Sequence, residues 1–297
     1  MAYILCLITI LFFSTLEVTG KLIGANISPA SITAYRFIIG AVVLAPMAIG
    51  ELKKRHIKLT SKEFIGIGIP GILNVAVSMF LLQLSIYYGK AFLSAIIISI
   101  NPIFTSISAH IILKEKMPPR VIIAQVFSIL ALIGIVLQEK ELLAGSRDLA
   151  LGIGFALMAA LTFALYTVLS KRQVKLHGSY VFNSLSFFIG AVVLFLGTVI
   201  SGNTISFAPT IRNIGFLLYL GIFVTGFAYF LFFTALKKLP TGVGASFFFL
   251  KPVIAGILAY IFLSEKVTHI QVMLYILIGF AQLFIIFGNK KVIHGSS

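Results

Sequence analysis

The chain is a series of long apolar runs separated by short polar connectors. Ten runs reach the roughly 20 residues that an α-helix needs to cross the hydrocarbon core of a bilayer. They cover Tyr3–Ile23, Ser31–Gly50, Glu63–Tyr87, Ala91–Leu113, Pro119–Gln138, Leu149–Leu169, Ser179–Ile200, Arg212–Leu236, Thr241–Leu263 and His269–Gly288. The runs are uniformly apolar rather than alternating, as a barrel strand would be. A helix also satisfies its own backbone in lipid, where an open strand cannot. The pattern predicts an all-α integral membrane protein with ten transmembrane helices.

Composition agrees with lipid as the solvent. The 297 residues are 60% hydrophobic and 10% charged, too few polar groups to coat a soluble domain of this length. The connectors leave no room for an extramembrane catalytic module. The opening run Met1–Gly20 has no Lys or Arg ahead of it and no small-x-small cleavage site, so it reads as the first span and not a signal peptide. The single cysteine, Cys6, lies in that run and has no partner for a disulfide within the chain.

A net charge of +15 would raise nucleic acid as a partner in a soluble protein. Here the basic residues sit in connectors and encode topology. Connectors after even-numbered spans carry Lys53, Lys54, Arg55, Lys58, Lys62, Lys114, Lys116, Arg120, Lys171, Arg172, Lys175, Lys237 and Lys238, and the tail adds Lys290 and Lys291. Connectors after odd-numbered spans carry Lys90, Lys140, Arg147, Arg212 and Lys266. Fifteen against five places both termini in the cytoplasm of a multi-pass protein of the inner (plasma) membrane. Lys21, at the outer end of the first span, runs slightly against the bias.

An internal repeat is visible at a constant offset of 150 residues. Phe37-Ile38-Ile39-Gly40-Ala41-Val42-Val43-Leu44 matches Phe187-Phe188-Ile189-Gly190-Ala191-Val192-Val193-Leu194. Without a gap the offset also pairs Phe13 with Phe163, Lys21 with Lys171, Gly71 with Gly221, Pro102 with Pro252 and Glu115-Lys116 with Glu265-Lys266. Gly, Pro and charged matches at one offset are harder to obtain by chance than apolar ones. Residues 1–145 and 146–297 thus form two five-helix repeats. Five is odd, so the second copy enters the membrane inverted, an arrangement found in alternating-access transporters.

Ten helices in two such halves, with Asn101-Pro102 leading to Lys114-Glu115-Lys116 and Lys251-Pro252 leading to Ser264-Glu265-Lys266, resemble the drug/metabolite transporter superfamily, EamA type. The resemblance implies a central cavity between the halves and transport of amino acids, other metabolites, nucleotide sugars or drugs.

Ionisable groups inside a span cost roughly 2.5–3.5 kcal/mol each at the membrane centre, so they mark function or a partner. Four stand out: Glu17, Arg36, His110 and Lys251, whose counterparts 150 residues away are Thr167, Ser186, Tyr260 and Asn101. None is duplicated, which makes them candidates for function rather than architecture. Glu17-Val18-Thr19-Gly20 resembles the first-helix Glu-Val-x-Gly of the small multidrug resistance family, whose glutamate exchanges protons for cationic drugs. Glu17 is the proton-coupling candidate; its structural alternative is an i,i+4 pair with Lys21. Lys251, ahead of a helix-bending proline, is a substrate-binding candidate, or else a partner of Glu17. Arg36 is a third candidate, with snorkelling to the headgroups as its plain alternative. His110, near the cytoplasmic end of its span, reads as a satisfied or interface histidine.

Polar stripes add Asn101 (with Ser94, Thr105 and Ser108), Asn74 and Ser78 (with Ser85), and Thr225 beside Tyr229; Gly244, Ala255 and Ala259 are small residues around Lys251. Such residues also serve plain helix packing. Phe247, Phe248, Phe249 and Phe262 are expected to face lipid, or to form a pocket wall. Pro102 and Pro252 are candidate hinges.

No P-loop, nucleophile–base pair or cluster with metal spacing is present, so neither enzyme activity nor a cofactor or metal is expected. The expected function is secondary transport of a small polar metabolite, an amino acid or related compound, by alternating access coupled to protons. The alternatives are an uncoupled facilitator and a multidrug, nucleotide-sugar or organic-anion carrier of the same fold. Expected partners are the small-molecule substrate, lipids and protons, with no nucleic acid; the chain is a monomer or homodimer.

Overall fold

The computed structural model describes the chain except residues 24–26, 57–58, 139–146, 208, 264–266 and 294–297, together with the side chains of 259, 262–263 and 288–293. Among the described residues the fold is all helical, with ten helices long and apolar enough to span: α1 Ala2–Ile23, α2 Pro29–Arg55, α3 Ser61–Tyr88, α4 Ala91–Leu113, α5 Pro119–Val136, α6 Arg147–His177, α7 Ser179–Ile200, α8 Ile211–Leu236, α9 Thr241–Leu258 and α10 His269–Phe287. The repeat element Ser264-Glu265-Lys266, Lys58, Lys140 and His294 lie outside the described residues, as do the side chains of Ala259, Phe262, Lys290 and Lys291.

Helices α2 and α6 run past their predicted apolar stretches, to Arg55 and His177. Hydropathy marks the part of a helix that lies in lipid, whereas the backbone ladder continues through Lys53 to Arg55 and Lys171 to His177. Sequence-local signals set the starts: Ser28 caps α2 ahead of Pro29, and Thr60 with Glu63 forms a reciprocal capping box on α3.

The chain threads back and forth between its halves. Helix α1 packs on α8 and α6 on α3, while α2 packs on α7 and α8 and α7 packs on α3; α5 and α10 pair at the periphery. Close approach at the crossings rests on glycine. A Cβ on Gly40 would stand 2.9 Å from Thr225 and 3.2 Å from the Gly221 carbonyl; one on Gly190, 150 residues later, would stand 2.8 Å from Val75 and 2.3 Å from the Gly71 carbonyl. Lipid supplies no hydrophobic drive for helix association, so such backbone contact carries much of the packing.

Five of the ten helices are irregular at mid-membrane. Helix α1 breaks at Ser14–Thr15, where the two hydroxyls donate to the carbonyls of Ile10 (2.6 Å) and Phe12 (2.7 Å). Helix α4 breaks at Ser99–Ile100, just before Asn101-Pro102, and α9 tightens to a 3-10 turn over Phe247–Leu250, just before Lys251-Pro252. Both prolines thus begin a new helical segment, where a missing N–H costs least. Helices α3 and α8 widen to π-helix over Leu73–Met79 and Leu220–Phe227. Such bulges recur at functional sites.

Candidate functional site

The irregular stretches converge on one buried polar cluster. The break in α1 precedes Glu17 by two residues, and the 3-10 turn in α9 delivers Lys251 to it. The Lys251 ammonium donates to the Glu17 carboxylate, an ion pair between helices from opposite halves, with both side chains at most 2% exposed. Glu17 Oε2 has no hydrogen-bond partner. Lys21 does not pair with Glu17 as the i,i+4 reading expects; its ammonium turns to the carbonyls of Gly89 (3.0 Å) and Ile86 (3.3 Å).

Lys251 shares a small cavity of about 20 Å³ with Arg36, Tyr229, Phe13, Phe163 and Phe248. Such a space holds about one water and is too small for a metabolite. Arg36 does not snorkel: it is 1% exposed, and none of its three guanidinium nitrogens has a hydrogen-bond partner. Its guanidinium lies 4.7 Å from the centre of the Phe37 ring. Helix α2 packs closely on α8 here, where a Cβ on Gly221 would stand 2.5 Å from the Ile39 side chain and 3.2 Å from the Arg36 carbonyl.

Tyr229 stands in an aromatic cage, with ring centres 4.9 Å from Phe13, 5.1 Å from Phe187 and 5.9 Å from Phe37. The phenylalanines of α9 do not meet lipid. Phe247, Phe248 and Phe249 are buried although three consecutive residues of a 3-10 turn point all round its axis, because α9 is enclosed by neighbouring helices. Phe248 is a wall of the cavity, packed on Phe13 and Phe163.

The remaining candidates divide. Asn74 and Thr225, on the two π-helical stretches, are buried with unbonded polar side-chain atoms; Asn74 neighbours the Tyr229 hydroxyl without closing a hydrogen bond. Ser78 donates to the Ala159 carbonyl at 3.0 Å and so ties α3 to α6. Asn101 donates to the Ile98 carbonyl at 2.8 Å, across the break in α4, and is not among the side chains that line the cavity. His110 is exposed, with Nδ1 3.0 Å from the Glu115 carbonyl.

A second polar cluster ties the end of α4 to α6 and to the start of α9, and the sequence reading did not assemble it. Lys171, on α6, donates to Glu115 Oε1 (2.7 Å) and to the Leu239 carbonyl (2.8 Å). Thr241, at the start of α9, donates its N–H to Glu115 Oε2 (2.7 Å) and its hydroxyl to Oε1 (3.1 Å). Burial alone would raise the Glu115 carboxyl, but the bonds from Lys171 and Thr241 and the Lys171 charge outweigh it and hold it below the ordinary range. Glu115 thus latches the α4–α5 connector to the other half. The clue in the sequence was the shared register of Glu115 with Glu265 and of Lys171 with Lys21. Three larger cavities, of about 820, 540 and 500 Å³, have linings that include Ser28 and Ser206, Thr15 and Tyr219, and Lys21 and Asp148, respectively. Neither Lys251 nor Arg36 lines any of the three.

Comparison with known proteins agrees with this architecture. The EamA-like transporter family matches twice, over residues 1–137 and 150–287. An uncharacterized transporter of Clostridium kluyveri is 37% identical over 283 residues, covering 93% of this chain and 91% of that one. YetK of Bacillus subtilis, likewise an uncharacterized transporter, is 23% identical over 255 residues, covering 86% of this chain and 77% of its own. A crystal structure that is 16% identical superposes with a TM-score of 0.77 over 98% of both chains, which shows the shared fold. With both halves matched by its model, the chain belongs to the EamA-like transporter family.

Proposed function

We propose that the protein is a secondary transporter that carries a small polar metabolite bearing a carboxylate, an amino acid or related compound, by alternating access coupled to protons. The observation that carries this reading is the Glu17–Lys251 pair, buried between the halves beside an unbonded Arg36. A buried pair is a poor source of stability, since desolvating two charges offsets most of their attraction. Charges kept at that cost in a membrane mark a substrate or ion pathway. As the halves part, Glu17 is drawn away from Lys251, and a lone carboxylate in an apolar site is neutralised by a proton. Substrate and proton then move together.

The gating parts support the same reading. The Glu115 latch ties the halves together at one face, and the breaks before Pro102 and Pro252 are places for the helices to bend. Residues 1–145 and 146–297 act as inverted repeats, whose matched glycine crossings let either face open at similar cost. The basic connectors put the latch and both termini in the cytoplasm, with the chain in the plasma membrane. An uncoupled facilitator is the second reading, favoured by the complete pairing of Lys251 with Glu17, which would make Glu17 structural.

Substrate counterflow in proteoliposomes tests the carrier reading. Vesicles loaded with unlabelled carboxylate metabolites should transiently accumulate the labelled compound from outside. A channel would only equilibrate it, and that result would exclude alternating access.

A further inference from the structure

The charges around the central cavity do not balance. Glu17 and Lys251 neutralise one another, and Arg36 is left over. A guanidinium cannot shed its proton in a protein, so it carries a full charge at this depth. Its neighbours Tyr229, Phe37 and Asn74 offer no counter-charge, and the nearest acid, Glu17, is held by Lys251. Its position in the other half holds Ser186, which bonds within its own helix to the Asn183 carbonyl. Packing therefore does not require arginine at this crossing. A buried fork with every donor unused, lining a cavity between the halves, is an empty receptor.

We infer that Arg36 receives the anionic group of the substrate, and that the substrate carries a net negative charge: a small monocarboxylate rather than a zwitterion or a cation. This rests on the carrier reading above and narrows its substrate from an amino acid to a related carboxylate that lacks the amine. A carboxylate matches the guanidinium fork in two parallel hydrogen bonds and brings the site to neutrality. A zwitterion leaves the excess positive charge in place, and an amine adds to it. The walls contributed by Phe13, Phe163, Phe248 and Tyr229 suit a short apolar remainder. The cavity has space for about one water, so the carboxylate enters as the halves part.

Thermal unfolding of the full-length protein in detergent, with butyrate, 2-aminobutyrate, butylamine or chloride at matched ionic strength, tests this. Butyrate should raise the melting temperature of the wild type and bind about tenfold or more tighter than 2-aminobutyrate, the weight of one charge-assisted hydrogen bond. Butylamine should have no effect. Arg36→Gln should lose the butyrate response and, with no ligand, melt no lower than the wild type, since it removes an uncompensated charge. A purely structural arginine predicts the reverse: a lower melting temperature with the ligand response kept. Arg36→Lys, which keeps the charge and loses the fork, should bind butyrate weakly; it decides the matter if Arg36→Gln fails to fold. The inference is overturned if 2-aminobutyrate or butylamine binds as well as butyrate, if chloride alone reproduces the butyrate shift, if no probe stabilises the wild type, or if both Arg36 variants respond fully. Counterflow of a zwitterion without dependence on Arg36 would overturn this inference and leave the carrier standing; absence of any counterflow would overturn the carrier.

Discussion

Glu17 and Lys251 lie 234 residues apart in the chain and meet as a buried ion pair, one from a helix broken at Ser14–Thr15, the other from a helix tightened at Phe247–Leu250. Each break lies beside one of the two charged residues. The pair is therefore a contact between the two halves, and on the carrier reading its energetics bear on both stability and transport.

Removing one partner should be worse than removing both. Glu17→Gln or Lys251→Met alone leaves a buried charge unpaired and should destabilise by about 3–5 kcal/mol. The double variant should recover most of that loss, read as the melting temperature in detergent, while remaining inactive in transport. Additive losses in the double variant would mean that the two side chains do not depend on each other.

The Glu115 latch should respond to pH with a defined sign. The Glu115 carboxyl is held below the ordinary glutamate value of about 4.3. Its contribution to closure is thus fully present above that value and is lost as pH falls through the depressed one. With Cys6 replaced by alanine, a cysteine at Val243, buried just inside the latch, should label slowly at neutral and mildly acidic pH. Labelling should quicken below the ordinary carboxylate range. In Glu115→Gln it should already be fast at neutral pH.

Glycine crossings should divide sharply by position. A Cβ at Gly71 would stand 2.3 Å from the Ser186 carbonyl, whereas one at Gly154 or Gly197 meets nothing within 4 Å. Gly71→Ala should destabilise by about 1–3 kcal/mol, the ordinary range for overpacking. Gly154→Ala and Gly197→Ala should be neutral or slightly stabilising, because alanine is the better helix former. Thermal unfolding of the three variants checks this.

The ten spans were legible because lipid demands long apolar helices and little else. Glu17, Arg36, Tyr229 and Lys251 were legible because a polar group in such a run is an exception. The partners were legible only as alternatives. Lys21 and Lys251 were both open as partners of Glu17, and the crossing of α1 with α9 decides for Lys251. The burial of Arg36 was hidden for a similar reason, since it depends on how α2 packs against α8. The break in α1 has no proline to announce it, only two adjacent hydroxyl residues that compete for backbone carbonyls. The burial of Phe247–Phe249 follows from the enclosure of α9 by other helices, which hydropathy does not register.

The most direct test of coupling is substrate uptake into proteoliposomes at zero and at imposed pH gradient, for the wild type and Glu17→Gln. The wild type should respond to the gradient, and Glu17→Gln should take up substrate at one rate regardless of it while still supporting counterflow. Gradient-driven accumulation that survives in Glu17→Gln would contradict the account and make Glu17 a structural partner of Lys251.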